Sequence, residues 1–358
     1  MPTSRGIHGL VFCPTSTTKD IMLATASADQ VVRIWWASCI RMQCLAELLG
    51  HTDQAKLTGH SGRVTALCFV QDGRQLVTGS TDSTLRIWCC ASWRCLKTLQ
   101  GHKGLVTAVD CSGDGQLVAS ASGDGCCCVW DLAEGTLKHK LQADSGGVTS
   151  CRFLPVGLSS TTNVLATAHY DRQRNQGRVL LWDLHTKARK WVDGKIAAHF
   201  QAFNSFTGQI TALDFACPEN GLSDMPHFAV IACCDGTIRV ASLTDDDYIY
   251  TLGNAAQACD TADHHCSLHS RSAVQSNMLA AISPCGQWLA TVGLSNGMEV
   301  QVWDTETGHL VKTCQKHKSS IKVIKWNNSG HKTQVLATGD CSGCCQISIW
   351  EAGADHQS

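Results

Sequence analysis

The sequence predicts an all-β fold, a single ring of seven four-stranded antiparallel blades. Three observations predict it. The first is a repeat of fixed period: His60, Ser80, Asp82 and Trp88 recur 42 residues later as His102, Ser122, Asp124 and Trp130, with no drift at any of the four positions. The second is strict alternation of apolar and polar residues, as in TLRIW, where Leu85 and Ile87 point to one face and Arg86 to the other. The third is segment length, about five to seven residues between Gly, Asp and Ser turns, which suits strands and is too short for helices. One such unit cannot bury both faces of its own sheet, whereas units stacked around an axis can.

The units follow one another along the chain. The first spans about 8–36 and carries His8, Ser27, Asp29 and Trp35, and the second (59–89) and third (101–131) are the pair above. The fourth, 143–183, ends at Trp182-Asp183. The fifth, 198–243, keeps Asp235 and Gly236 but has Ala241 where Trp belongs. The sixth, 270–304, ends at Trp303-Asp304, and the seventh, 316–351, runs from His317 through Thr338 and Asp340 to Trp350. Six of the eleven tryptophans occupy the repeat position, so the indole has a recurring structural place. A single domain over 1–358 accounts for the chain.

A period in the low forties, Gly-His near the start and Trp at the end resemble the WD-repeat (WD40) β-propeller family over about residues 8–351. The resemblance implies a polar chain across each blade: His8–Ser27–Asp29–Trp35, His60–Ser80–Asp82–Trp88, His102–Ser122–Asp124–Trp130 and His317–Thr338–Asp340–Trp350. A buried imidazole, carboxylate and indole are costly unless they satisfy one another. A His-Asp-Ser catalytic triad is the alternative reading, and recurrence in several blades speaks against it. Blades four to six depart from the pattern. Asp144 and His169 stand in the fourth where Gly-His and Ser are expected. Cys233 and Ala241 stand in the fifth for Ser and Trp, and His199 is cut off by an insertion. The turn of the sixth, Leu294 to Gly297, has no Asp.

Insertions at 155–163, 171–178, 194–208, 216–227 and 252–276 fall mostly on that same arc. Those at 171–178, 194–208 and 252–276 are expected on the face that carries the d–a and b–c connections, and the other two on the opposite face. Long loops on a rigid scaffold concentrate binding residues. Tyr170, Arg172, Arg174 and Arg178 are the partner-binding candidates, since Tyr and Arg are favoured interface anchors. The last blade lacks sequence for an outer strand, which residues 2–7 or a partner's strand would supply.

The chain carries 22 cysteines, several of them adjacent, and neighbours in a strand point to opposite faces and cannot readily pair. With Met-Pro-Thr-Ser-Arg leading straight into the first unit, the expectation is buried free thiols in a reducing intracellular compartment, cytoplasm before nucleus. Cys259, His264, His265, Cys266 and His269 offer zinc-compatible donors, but in a spacing that matches no standard finger, and Cys341 and Cys344 form a lone CxxC. No metal and no cofactor is expected. Neither a phosphate loop nor a GxSxG elbow occurs, so no enzymatic activity is expected. A net charge of −1 and a short basic cluster, Lys187 to Lys195, argue against direct nucleic-acid binding, and no apolar run is long enough to span a membrane. The expected role is a scaffold subunit that binds proteins within a larger assembly, through the d–a/b–c face and the arc of blades four to six. The alternatives are a substrate receptor of a cullin-type ubiquitin ligase and a subunit of an RNA-processing or ribosome-assembly complex. The first is weakened because the blade ends read WDLA, WDLH and WDTE, without the Trp-Asp-x-Arg of such receptors.

Overall fold

The computed structural model describes residues 6–16, 20–38, 41–48, 59–70, 72–142, 146–154, 164–184, 206–216, 228–242, 249–252, 278–293, 297–314, 317–327, 333–343 and 345–351. All regular elements among them are strands, and these form seven antiparallel meanders. Blade 1 comprises β1 (Ile7–Phe12), β2 (Asp20–Ser27), β3 (Val32–Ser38) and β4 (Arg41–Leu48). Blade 2 holds β5 (Val64–Phe69), β6 (Gln75–Ser80), β7 (Thr84–Cys89) and β8 (Cys95–Gln100). Blade 3 holds β9 (Val106–Cys111), β10 (Leu117–Ser122), β11 (Cys126–Asp131) and β12 (Leu137–Gln142). Blade 4 shows three strands, β13 (Gly147–Phe153), β14 (Val164–Asp171) and β15 (Gln176–Asp183). Blade 5 has β16 (Ile210–Ala216), β17 (Phe228–Cys233), β18 (Ile238–Ser242) and β19 (Ile249–Leu252). Blade 6 has β20 (Leu279–Ile282), β21 (Trp288–Val292), β22 (Val300–Asp304) and β23 (Leu310–Thr313). Blade 7 shows β24 (Ile321–Trp326), β25 (Thr333–Asp340) and β26 (Cys345–Glu351).

The first strand of each blade packs on the first strand of the next, from β1 through β5, β9, β13, β16 and β20 to β24, and β24 packs back on β1. The molecule is therefore a closed seven-bladed β-propeller. Its closing seam uses the same contact as an internal one. A Cβ placed on Gly79 would stand 2.5 Å from Val106 Cγ1 of the next blade, and one on Gly339 would stand 2.8 Å from Ile7 Cγ2. Glycine at this strand position lets the next blade's first side chain seat against bare backbone. Ile7 thus begins the innermost strand of blade 1. This corrects the expectation that residue 7 adds an outer strand to blade 7; residues 1–5 lie outside the described residues.

The apolar alternation read from sequence packs blade against blade. Val77, Leu85, Ile87 and Leu99 of blade 2 share one cluster with Val106, Val109, Val118 and Trp130 of blade 3. Leu85 and Ile87 are fully buried, and side chains of this size contribute about 1.5–3 kcal/mol each on burial. Cysteines serve this packing too: burial pushes the Cys128 and Cys233 thiols up to about 12, which leaves them as inert fillers. The expectation of free thiols is corrected at one pair. Cys68 of β5 and Cys111 of β9 are bonded, with Cα atoms 6.6 Å apart across adjacent innermost strands. Side-by-side strands 43 residues apart in sequence bring together what neighbours along one strand cannot.

Register fixes the faces of the disc. Val64 pairs with Ser80 and Gly79 with Leu85, so the start of a blade's first strand, the end of its second and the start of its third lie at one face. This upper face carries the b–c turns.

Candidate functional site

Under the upper face a buried polar chain recurs from blade to blade, built most fully in blades 2 and 3 and replaced by apolar packing in blade 5. His60 Nδ1 lies 2.9 Å from Asp82, and its Nε2 lies 2.7 Å from Thr78 Oγ1. The Trp88 indole N–H donates to the same Thr78 oxygen at 3.0 Å. The hydroxyl therefore accepts from Trp88 and donates to Nε2, which places the imidazole proton on Nδ1, facing Asp82. Asp82 also accepts from Ser61 N, Thr84 N and Thr84 Oγ1, so one carboxylate ties the preceding loop to the b–c turn. Burial opposes its ionisation, yet the hydrogen bonds from His60 and Thr84 hold its carboxyl well below the usual range. Burial conversely lowers the His60 and His102 imidazoles despite their aspartates.

Blade 3 repeats the arrangement with Ser120: His102 Nε2 lies 2.8 Å from its Oγ, and Trp130 Nε1 donates to it at 2.9 Å. His102 Nδ1 lies 3.2 Å from Asp124. The shared hydroxyl thus sits two residues before the serine expected from spacing, at Thr78 rather than Ser80 and Ser120 rather than Ser122. Residues two apart in a strand share a face, so alternation alone cannot choose between them. Ser80 and Ser122 instead accept from the Asp82 and Asp124 amides and shape the turns. These hydroxyls are fully buried and saturated, so the chain is a structural lock and presents no nucleophile.

The other blades vary the lock. In blade 1, Trp35 Nε1 donates to Thr25 Oγ1 at 2.7 Å, again two residues before the expected Ser27. His8 takes no part: it is the second residue of β1, exposed, and Asp29 binds Arg33 at 2.9 Å. The connection from β1 to β2 is longer than that from β5 to β6, which makes the His8 spacing coincidental. In blade 7, His317 lies 2.7 Å from Thr338 Oγ1 and 3.0 Å from Asp340 Oδ2, while the Trp350 side chain lies outside the described residues.

The departures in blades 4 and 5 have physical answers that sequence reading missed. In blade 4 the imidazole comes from the second strand itself: His169 Nε2 lies 2.7 Å from Thr167 Oγ1, which also receives the Trp182 indole at 2.7 Å. In blade 5 the imidazole, hydroxyl and indole all give way to apolar side chains, while Asp235 stays in the turn and accepts from Thr207 and Thr237. Phe206, four residues before Ile210 as His60 is before Val64, fills the imidazole's place, and Ile231 and Ala241 replace the hydroxyl and the indole in one cluster. Replacing all partners together avoids leaving any buried group unsatisfied. In blade 6 the Trp303 indole donates to Thr291 at 2.8 Å.

The axis carries a second network that no local motif announces. Asp110 of β9, Arg152 of β13, Asp214 of β16 and Lys325 of β24 line an axial cavity of about 670 Å³. Arg152 bridges Asp110, at 3.1 Å, and Asp214, so it clamps three successive blades. Asp110 and Asp214 also accept from the backbone amides of Phe153 and Ile282. Burial opposes ionisation of Asp214, and Lys325 and Arg152 outweigh it, keeping the carboxyl below its ordinary range. Burial and then Arg152 lower the Lys325 ammonium.

Above these locks, the 171–178 insertion is an extension of the β14–β15 hairpin, with Asp171 paired to Gln176. Asp171 Oδ1 accepts from the Gln173 and Arg174 amides and closes the tip. Tyr170 donates from its hydroxyl to Asn175 at 2.9 Å, and Arg174 lies 3.8 Å from Asp171. Arg172, Arg174 and Arg178 are exposed on this hairpin, at the upper face. The insertion is braced from behind, where Gly177 N donates to Phe206 O and Arg239 lies over the Phe206 ring at 4.3 Å. Cys259, His264, His265, Cys266 and His269 lie outside the described residues. Among the described residues no cluster of three or more potential metal ligands occurs, and no helix is long and apolar enough to cross a membrane.

The family model for the WD domain, G-beta repeat, matches residues 2–35, 42–89 and 93–131, which reach from β1 to β11. The chain is also 34% identical over 95 residues to nuclear distribution protein PAC1-2 of Uncinocarpus reesii (strain UAMH 1704), a stretch that makes up 26% of this chain and 18% of that protein. The matched region is therefore about a fifth of the length of that relative.

Proposed function

From a chain that carries WD40 repeats on a seven-bladed propeller, we propose a non-enzymatic scaffold subunit that binds protein partners within an intracellular multiprotein assembly. The observation that carries this reading is the blade 4 hairpin. A rigid disc, locked internally by buried polar chains, presents Tyr170, Arg172, Arg174 and Arg178 on a braced projection at the upper face. Arginine beside an aromatic on a preorganised element is suited to a protein interface, because little ordering entropy is lost on docking. Similarity to a nuclear distribution protein supports a role in protein assemblies. In this reading the arc of blades 4 to 6 and the upper face make the contacts, and nucleic acid is not bound directly.

The test is affinity purification of the tagged full chain at physiological salt, followed by size-exclusion chromatography and mass spectrometry. A stoichiometric high-mass assembly is expected. Replacing Arg172 and Arg174 together by alanine is expected to deplete that assembly while thermal stability stays unchanged. An isolated chain of 38.5 kDa would refute the scaffold reading, and an unchanged assembly in the variant would remove the hairpin from it.

A further inference from the structure

The residue at the register shift near the start of the innermost strand forms a row around the upper mouth of the axial channel, and in four blades, at Thr65, Thr107, Thr149 and Thr211, it is threonine. Thr65 Oγ1 donates to Val106 O at 2.6 Å, Thr107 to Val148 O at 2.7 Å and Thr211 to Met278 O at 2.5 Å, each joining its blade to the next. Thr149 donates within its own blade, to Ala168 O. At the closing seam the row changes character. Blade 7 places Lys322 there and blade 1 places His8, on strands β24 and β1 that pack against each other. Arg63, immediately before β5, adds a third basic residue on the next strand, and its carbonyl accepts from Thr81 of the b–c turn, which fixes it at the upper face.

His8 and Lys322 line the mouth, and His8 and Arg63 are exposed. Neither Arg63 nor Lys322 has an ion-pair partner among the described residues. Strand β1 packs against β24 on one side and β5 on the other, so His8 stands between Lys322 and Arg63; after burial, these two lower the His8 imidazole. Leu105 holds in blade 3 the place that Arg63 holds in blade 2, and is 46% exposed. Uncompensated cations therefore sit beside an exposed apolar side chain on the rim of one opening.

We propose that the channel mouth at the blade 7–1–2 seam, formed by His8, Arg63 and Lys322, is a docking site for an acidic peptide segment of a protein partner. The proposal rests on the scaffold reading above and adds to it a second contact, separate from the blade 4 hairpin. Two cations, Arg63 and Lys322, flanking the His8 imidazole around one opening fit a short carboxylate-rich or phosphorylated segment. A nucleic acid needs a longer basic track, which a chain of net charge −1 does not offer here.

The test is fluorescence anisotropy on the full chain with fluorescein-labelled hexaglutamate as probe, hexaglutamine as its uncharged counterpart and a labelled hexathymidylate of similar charge. Hexaglutamate is expected to bind at least tenfold more tightly than either. The double variant Arg63→Gln/Lys322→Gln is expected to lose at least tenfold, and the charge-preserving Arg63→Lys/Lys322→Arg to retain binding. Lys140→Gln, on outer strand β12, should stay within twofold of the parent. Equal binding of hexaglutamate and hexaglutamine, tighter binding of the oligonucleotide, or a double variant within twofold of the parent would overturn the proposal. Recovery of an intact assembly alongside any of those results would leave the scaffold reading standing. Hexaglutamate binding by a chain that recovers no assembly would support the mouth and refute the scaffold.

Discussion

Replacing Thr78 by valine exchanges a hydroxyl for a methyl and keeps the shape of the side chain. Thr78 is fully buried, and its oxygen is shared by His60 Nε2 at 2.7 Å and Trp88 Nε1 at 3.0 Å. His60 and Trp88 are themselves buried, at 2% and 7% exposure, so water cannot take over either bond. Each buried polar group left without a partner costs about 1–3 kcal/mol. Two such groups, less about 1 kcal/mol regained by burying a methyl instead of a hydroxyl, give a loss of about 1–5 kcal/mol. At the entropy of unfolding typical per residue, that lowers Tm by about 1–7 °C for a chain of this size. Thr78→Ser is the paired control. It keeps both hydrogen bonds and loses one methyl, about 1 kcal/mol. Urea denaturation followed by tryptophan fluorescence, with the slope compared between variants, reads both changes. If valine proves no more destabilising than serine, the shared hydroxyl does not hold the blade and the lock is misread.

Three further outcomes follow from the same geometry. Arg152→Met strands the Asp110 and Asp214 carboxylates; because the Arg152 side chain is 26% exposed to the channel, a loss of about 2–3 kcal/mol is expected, and a urea midpoint shifted by less than half the corresponding amount would contradict the clamp. His60 and His102 have folded-state pKa values below the ordinary 6.5, so the unfolded chain binds more protons below that pH; stability should be full above about pH 6.5 and fall as pH drops below it, and a urea midpoint that is flat or rises between pH 7.5 and 5.5 would refute this. Phe206→His puts an imidazole among Ile231 and Ala241 with no hydroxyl to meet it, at a cost of about 1–3 kcal/mol; adding Ile231→Thr should recover part of that loss in calorimetry, and failure to recover would mean that the apolar replacement is not a substitute for the lock.

The period of the repeat, the recurrent tryptophans and the Asp turns were legible because each depends on spacing within one blade. Asp82 and Trp88 are fixed relative to the β6–β7 hairpin register, and any blade with that hairpin shows them at the same interval. The hydroxyl was misplaced because Thr78 and Ser80 lie on the same face and both are polar; only the diagonal from Trp88 to Thr78 separates them. His8 misled because the extra residues between β1 and β2 restored, by accident, an interval set elsewhere by the position of the imidazole before the first strand. Phe206 was hidden for the opposite reason, since a lock that keeps only its turn aspartate leaves no polar partner in sequence to point to the imidazole's place. The axial charges were out of reach altogether. Asp110 and Asp214 meet Arg152 across 42 and 62 residues, and neither separation is visible before the ring is closed.

These supports bear on where recognition can reside. The disc is held by three kinds of contact: a hydroxyl lock within blades, a threonine row between blades, and an arginine clamp across the axis. Blade 5 shows that the first is replaceable, provided that imidazole, hydroxyl and indole change together. The closing seam shows that the second is replaceable as well. Between blades 7 and 1 the seating of Ile7 on Gly339, and of Gly6 against Cys341, does the joining. A Cβ on Gly6 would stand 2.7 Å from Cys341 Cα, so the two chain segments approach as closely as backbone allows. With the seam closed by shape, the row position there is released from its bridging role, and a basic side chain can occupy it without weakening the ring. The positions freed from structural duty are those at which a propeller can acquire specificity: the hairpin of blade 4, which extends beyond its lock, and the seam, which does without a threonine.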